Sequence, residues 1–297
     1  MLKPKILPII KLIINEIIIS PFIIKSSDCI ECKCWVIISL THITTVFNIN
    51  IWLLMKTKEI KWHSKYLAKD MPIKIYGSDC GKPVIVFPTQ SGSYLDYENF
   101  GMIDACQQFI NSNKIQLYCI QTIDSDSWCN QSITPKRRAE VNELFNNYVM
   151  NELIPFIGKG NIGLTGCSMG AYYSANFYFR YPKCFDLAVC LSPILKLNCF
   201  IDDYIDKNVF NNTPLCYVKA NKLYDNSKII FCCGQDSSEK LMYDDLHQMQ
   251  KICFRNKIPT WFDFWGTDVT HTWYWWRKQI VYYLSEYILQ SAYDNIG

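Results

Sequence analysis

Histidine is scarce in this chain, with four in 297 residues. An imidazole base, if the chemistry needs one, must come from His42, His63, His247 or His271. Charge is also close to balanced. Thirty basic residues stand against 27 acidic ones, a formal net charge of +3, and the basic residues are scattered rather than gathered in blocks. That balance argues neither for nor against nucleic acid, and nothing else in the chain calls for such a partner. A zinc site is also incomplete. Cys29, Cys32 and Cys34 offer three thiolates, but no second cysteine pair and no histidine pair nearby supplies the rest of a structural site. A structural metal is therefore not expected there.

What the chain does have is apolar mass. At 49% hydrophobic and 15% aromatic residues it can bury the core of one large α/β domain with a short extension, which excludes general disorder. Its 15 cysteines are an odd number on a chain far longer than a disulfide-stapled miniprotein, and Cys119, Cys190, Cys232 and Cys233 sit inside apolar runs. They read as buried thiols in a reducing, cytoplasmic compartment.

Residues 1–55 differ from the rest, being rich in isoleucine and poor in glycine. The apolar run 6–24 is broken by Lys11, Asn15 and Glu16, so it makes a poor secretory signal. The run 34–55 has no acidic or basic residue and is long enough for a membrane span, although His42, Asn48, Asn50 and several threonines dilute it. An unstructured leader is the expectation for 1–55, with a membrane anchor through 34–55 as the alternative.

From residue 56 to 297 the pattern is regular. Residues 73–76 alternate, 77–82 turn, and Pro83-Val-Ile-Val-Phe87 is a short apolar run, which together suggest a hairpin leading into a buried strand. Further strands are expected at 115–120, 161–165, 187–191 and 228–233, with helices over 139–157, from 170 to 181, and over 239–256. Such alternation specifies an α/β fold: a mostly parallel sheet covered by helices on both faces.

Between the strand at 161–165 and the following helix lies Gly166-Cys167-Ser168-Met169-Gly170, a G-x-S-x-G pattern in the strand-to-helix context that gives it meaning. Ser168 is the expected nucleophile; the second position of such a turn points Cys167 away. A serine hydroxyl needs a base, itself held by a carboxylate. His42 lies in the leader, His63 precedes the first strands and His247 falls in a helix, whereas His271 stands in a turn after the strand-like segment 260–265. The chain order serine, acid, histidine selects His271. The acid belongs after the strand 228–233, where Asp236 is the first choice, Glu239 the reserve and Asp268 a remote third; Asp236 would also make an ordinary helix cap. Oxyanion donors are expected from the backbone of Met169 and of Gln90 or Ser91, in the loop after strand 83–87. Trp128, Phe200, Tyr204, Trp273 and Trp275 could line an acyl pocket, though aromatics this dense more often form core. The irregular segment 196–226 would partly cover the site.

The stretches Val84-Ile-Val-Phe-Pro-Thr-Gln-Ser-Gly92, Tyr97-Glu-Asn-Phe-Gly-Met-Ile-Asp104, Gly166-Cys-Ser-Met-Gly170 and His271-Thr-Trp-Tyr-Trp-Trp-Arg-Lys278 resemble the putative-esterase family of α/β-hydrolases, which includes S-formylglutathione hydrolases, feruloyl esterases and mycolyltransferases. The resemblance runs from about residue 59 to the end. Its nearest branch commonly reads His-Asp-Trp, then a tryptophan pair and Arg or Lys. Here Thr272 replaces the Asp, and the approach 267–270 is less glycine-rich. The resemblance implies a triad of Ser168, Asp236 and His271, a backbone oxyanion hole and no metal or organic cofactor. The expected function is cleavage of a small-molecule carboxylic ester through an acyl-enzyme. An acyltransferase using the same triad, or a non-catalytic scaffold on the same fold, are the alternatives.

Overall fold

A computed structural model describes residues 55–225 and 227–294. The expectations for the leader, including His42, Cys29, Cys32, Cys34 and the run 34–54, fall outside the described residues. Among the described residues no helix is long and apolar enough to cross a membrane.

The centre of the molecule follows from strands with apolar residues on both faces. In β3 (Lys82–Phe87), Ile85 and Phe87 point into one core cluster while Val84 and Val86 point into another. A strand covered on both sides belongs inside a sheet. β3 indeed lies in the middle of eight strands, in the order β1-β2-β4-β3-β5-β6-β7-β8. The others are β1 (Thr57–Ser64), β2 (Lys69–Tyr76), β4 (Ile115–Ile120), β5 (Ile162–Cys167), β6 (Phe185–Leu191), β7 (Lys228–Cys233) and β8 (Thr260–Phe264). Pairing is antiparallel for β1 with β2 and for β2 with β4, and parallel throughout the rest. The expected hairpin between 73–76 and 83–87 does not form. β2 pairs with β1 and β4, and the turn at Gly77–Gly81 carries the chain past β4's position, so that β4 stands between β2 and β3 and β3 takes parallel partners on both sides.

Helices fill both faces. α1 (Asp96–Asn99) and α2 (Met102–Asn111) follow β3, and α3 (Pro135–Tyr148) follows β4, running through a π-helical turn at Val149–Leu153 into α4 (Ile154–Ile157). α5 (Met169–Arg180) follows β5; the short α6 (Asn198–Ile201), α7 (Lys207–Asn212) and α8 (Pro214–Tyr217) interrupt the segment after β6; α9 (Lys240–Arg255) and α10 (Trp273–Asp294) complete the chain. One core cluster gathers residues of α3, α5 and α9, the other those of α2 and α10. The eight-stranded, mostly parallel sheet between two helical layers is the α/β-hydrolase fold. The long final helix over Trp273–Asp294, with its aromatic-rich start, has no counterpart in the sequence expectations.

Candidate active site

Parallel strands bring their C-terminal ends to one edge, and here the chain moves from β3 to β4 on one side, then to β5 on β3's other side. A crevice opens where strand order reverses in this way. Ser168 follows β5 at that point, and the loop Pro88-Thr89-Gln90-Ser91 follows β3 beside it, with Phe87 paired to Gly166.

The sharp turn at Ser168 depends on its two glycines. A Cβ on Gly166 would lie 2.4 Å from the Gly170 carbonyl carbon, and one on Gly170 would lie 2.3 Å from the Phe87 oxygen. Their absence lets α5 start directly against both β5 and the loop after β3. Ser168 itself has φ 55° and ψ −116°, a left-handed backbone that a non-glycine residue adopts at a cost of about 1–3 kcal/mol. Its N–H donates to Leu191 O at 2.9 Å and its carbonyl accepts Tyr172 N at 3.1 Å, so flanking elements hold the strain in place. Cys167, the adjacent thiol, points the other way. It is fully buried beside the Tyr97 hydroxyl, and burial pushes its thiol well above the ordinary range, which leaves no thiolate to act as nucleophile.

The two loops beyond β7 and β8 are locked together. A Cβ on Gly234 would lie 1.9 Å from Val269 O, Gln235 N–H donates to Gly266 O at 3.1 Å, and His271 N–H donates to Ser238 Oγ at 3.1 Å. This contact delivers His271 to a carboxylate, and the carboxylate is that of Glu239. Glu239 Oε1 lies 3.2 Å from His271 Nδ1, and the Glu239 side chain is completely buried. Asp236, the first choice from sequence, goes elsewhere. It caps a short 3-10 turn, accepting from Ser238 N at 2.8 Å and Ser238 Oγ at 2.7 Å, and these bonds hold its exposed carboxyl below the usual carboxylate range. A short aspartate near the loop's start is engaged by the nearest amides, whereas a glutamate three residues later reaches across. Asp268 is exposed and turned toward Gly266. The other two described histidines are engaged elsewhere: His63 on β1 pairs with Asp70 on β2, and the His247 ring stacks on Phe264 at 4.4 Å.

Neither Ser168 Oγ nor His271 Nε2 has a hydrogen-bond partner among the described residues, and in ligand-free enzymes such contacts are often long until substrate arrives. Ser168 is 8% exposed, so its hydroxyl is within reach of a small substrate while its surroundings are largely dry.

The oxyanion loop divides its donors. Ser91, at φ 52°, gives its N–H to the Asp124 carboxylate, so it is not free to serve an oxyanion. The amides of Gln90 and Met169 carry no partner among the described residues. Asp96 holds the loop from the other side, accepting from Thr89 Oγ1 at 3.0 Å and Ser93 N at 2.9 Å. Asp124 escaped the sequence reading. It is 1% exposed, takes Thr122 Oγ1 at 2.6 Å as well as Ser91 N, and burial pushes its carboxyl upward despite these donors.

The aromatic residues separate into core and rim. Trp128 is completely buried within the core, Phe200 is nearly so, and Tyr204 is half-buried and bonded to Asp206; Trp128 and Phe200 are therefore core rather than the lining of an open pocket. Trp273 stacks on Phe100 with ring centroids 4.5 Å apart, near-parallel, and meets Trp276 edge-on at 5.0 Å. Trp276 in turn lies edge-on to the His271 ring at 4.8 Å. Trp275 packs against Trp265 instead. Among the described residues no group of acidic, histidine and cysteine side chains is arranged to hold a metal.

Residues 64–287 match the putative esterase family. The chain belongs to it. Membership makes this protein a carboxylic ester hydrolase, acting on small-molecule esters. No curated protein matches by sequence. Among solved structures, a ferulic acid esterase is similar at TM-score 0.60 and 15% identity, covering 76% of this chain and 95% of its own. An S-formylglutathione hydrolase from Agrobacterium tumefaciens is similar at TM-score 0.60 and 13% identity, covering 78% and 94%. Fluorophosphonate-binding serine hydrolase F of Staphylococcus aureus is similar at TM-score 0.56 and 18% identity, covering 78% and 97%. At these identities the likeness establishes the fold of this esterase.

Proposed function

We propose that this esterase works as a serine hydrolase with Ser168 as nucleophile, His271 as base and Glu239 as the acid that holds it. The observation that carries this reading is the Glu239–His271 pair, 3.2 Å apart on the same sheet edge as a serine held at φ 55°. With Nδ1 hydrogen donated to Glu239, the Nε2 lone pair is left to take the Ser168 proton as Oγ attacks the ester carbonyl. The N–H groups of Met169 and Gln90 supply the oxyanion with two donors, each worth a few kcal/mol in the transition state. His271 then returns the proton to the leaving alkoxide, giving the alcohol and an acyl-Ser168. Water, deprotonated by the same Nε2, releases the acid and restores the serine. Every proton passes between Ser168, His271, water and the leaving group, so the cycle closes without a cofactor.

The test uses the full-length chain, a series of p-nitrophenyl acyl esters, and a fluorophosphonate probe read by intact mass. Turnover and a single covalent adduct are expected for the wild type, and both should vanish in a folded Ser168→Ala variant. Turnover that survives in that variant would overturn the serine mechanism.

A further inference from the structure

Glu239 is completely buried, yet among the described residues only two side chains bond to it. Both use the same oxygen: Oε1 accepts from His271 Nδ1 at 3.2 Å and from Ser192 Oγ at 2.8 Å, while Oε2 is buried with no partner among the described residues. Apart from the histidine that it must orient, the carboxylate therefore has a single side-chain donor among the described residues fixing its rotation. That donor is itself directed. Trp276 Nε1 lies 3.1 Å from Ser192 Oγ, and an indole nitrogen can only donate. With its oxygen accepting from Trp276 and no solvent exposure, the Ser192 hydroxyl has one place to send its proton, which is Glu239 Oε1. The backbone is held for the purpose. Ser192 follows β6 at φ 52°, its N–H donating to Cys232 O at 2.7 Å.

Resting on the triad proposed above, we infer that Ser192, aimed by Trp276, is a positioning residue for the reaction: the relay Trp276 to Ser192 to Glu239 sets the carboxylate that holds His271. Trp276 acts twice, since its ring also walls the imidazole edge-on at 4.8 Å. Removing the hydroxyl leaves a buried carboxylate with the imidazole as its only side-chain partner. Its charged form loses stabilisation, and the Nδ1 hydrogen no longer has a fixed acceptor. The charged imidazole that forms in the transition state is then less well supported, whereas the ester-binding surface is untouched. The effect falls on kcat, not on KM.

Two substitutions separate hydroxyl from backbone. Ser192→Ala removes the hydroxyl and keeps the strain, and Ser192→Gly removes the hydroxyl and relaxes it, since glycine accepts φ 52° freely. Both are expected to lower kcat for a p-nitrophenyl ester by about tenfold to a hundredfold with KM within about twofold, and to slow fluorophosphonate labelling of Ser168 in parallel. A far-downfield proton resonance of His271 Nδ1–H is expected in the wild type, from the bond to Glu239, and should broaden or shift in both variants. Trp276→Phe should give part of the same loss, and the Ser192→Gly/Trp276→Phe pair no more than Ser192→Gly alone, as members of one relay are not additive. If the glycine variant keeps wild-type kcat, or if the loss appears only in KM, the inference is overturned. Ser168→Ala and Glu239→Gln run alongside mark which claim fails: if they abolish turnover while the Ser192 variants do not, the relay alone is wrong, and if Ser168→Ala remains active the triad falls and the relay with it.

Discussion

Two residues, Ser237 and Ser238, separate Asp236 from Glu239, and the difference between the two carboxylates is one of reach and burial rather than of chemical type. Asp236 is spent on Ser238, in solvent, while Glu239 is sealed against His271 and Ser192. The two are therefore expected to respond oppositely. Glu239→Gln, which keeps an acceptor oxygen but removes the charge that supports the imidazolium, should cut kcat on the order of 10³–10⁴-fold. Asp236→Asn should leave kcat within about twofold, with only a small fall in melting temperature from a weaker cap. Steady-state kinetics on both folded variants decide the assignment; a severe loss in the aspartate variant and none in the glutamine one would return the role to Asp236. At this scale the sequence exposed what local patterns encode. Ser168 is announced by two glycines whose missing Cβ atoms permit the turn, and His271 by being the one histidine late in the chain outside a helix. The acid was ambiguous because the choice rests on the Gly234–Val269 contact between two loops, which no local pattern records. Ser192 and Asp124 were missed although each lies just beyond the C-terminal end of a strand at the site's edge of the sheet, and that position is the signal that would have found them.

The loop after β3 is an element built by two buried aspartates, Asp96 on one side and Asp124 on the other. Asp124 binds Ser91 N–H and so leaves the neighbouring Gln90 amide as the open donor. Its burial has a cost that can be read in pH. A carboxyl whose folded pKa is raised adds stability below its unfolded value of about 3.9, and that contribution is lost as pH rises through the folded value. At neutral pH the buried charge therefore works against folding. Asp124→Asn retains an oxygen for Ser91 N–H and an amide for Thr122, without the charge, so it should melt at least as high as wild type near pH 7.5 and keep most of its activity. The stability difference should close as pH falls toward about 4. Asp124→Ala removes the grip on Ser91, and kcat should fall about tenfold to a hundredfold as the Gln90 amide loses its aim. Thermal melts across pH, with kcat measured on both variants, test this; an alanine variant at full activity would remove Asp124 from any role in the loop. The same element shows why sequence placed the hairpin wrongly. The apolar run at 83–87 and the turn at 77–82 were both read correctly, but which neighbour a strand takes is a long-range choice that local alternation does not record: β4, more than 25 residues after β3, pairs between β2 and β3.

Across the whole molecule, the irregular segment that follows β6 is fastened to the helical layer by a polar cluster rather than by strand pairing. Asn212, at the end of α7, accepts through Oδ1 from Asn146 on α3 at 3.0 Å and from Asn176 and Arg180 on α5 at 2.9 and 2.7 Å. Its amide donates to Glu143 on α3 and to Asn208 O. Glu143 closes the circuit by a two-pronged pair with Arg180, at 2.9 and 3.2 Å. Burial alone would push the Glu143 carboxyl up, but Arg180 and the two asparagine amides outweigh it and the group ends below its ordinary value. The sign is opposite to that of Asp124. A lowered folded pKa means stability that is present above the unfolded value of about 4.3 and is lost as pH falls through the folded one. Glu143→Gln leaves Arg180, with 15% of its side chain exposed, short of its counter-charge, and should cost about 2 kcal/mol at pH 7 after allowance for partial exposure. In acid the wild-type carboxyl is itself protonated, and the two proteins should converge. Urea denaturation at pH 7 and at successively lower pH reads the difference directly, and a gap that stays constant with pH would mean the charge pair contributes nothing. None of the cluster's hydrogen bonds reaches Ser168, Glu239 or His271, so the folded glutamine variant should retain its kcat and lose only the fastening of the segment.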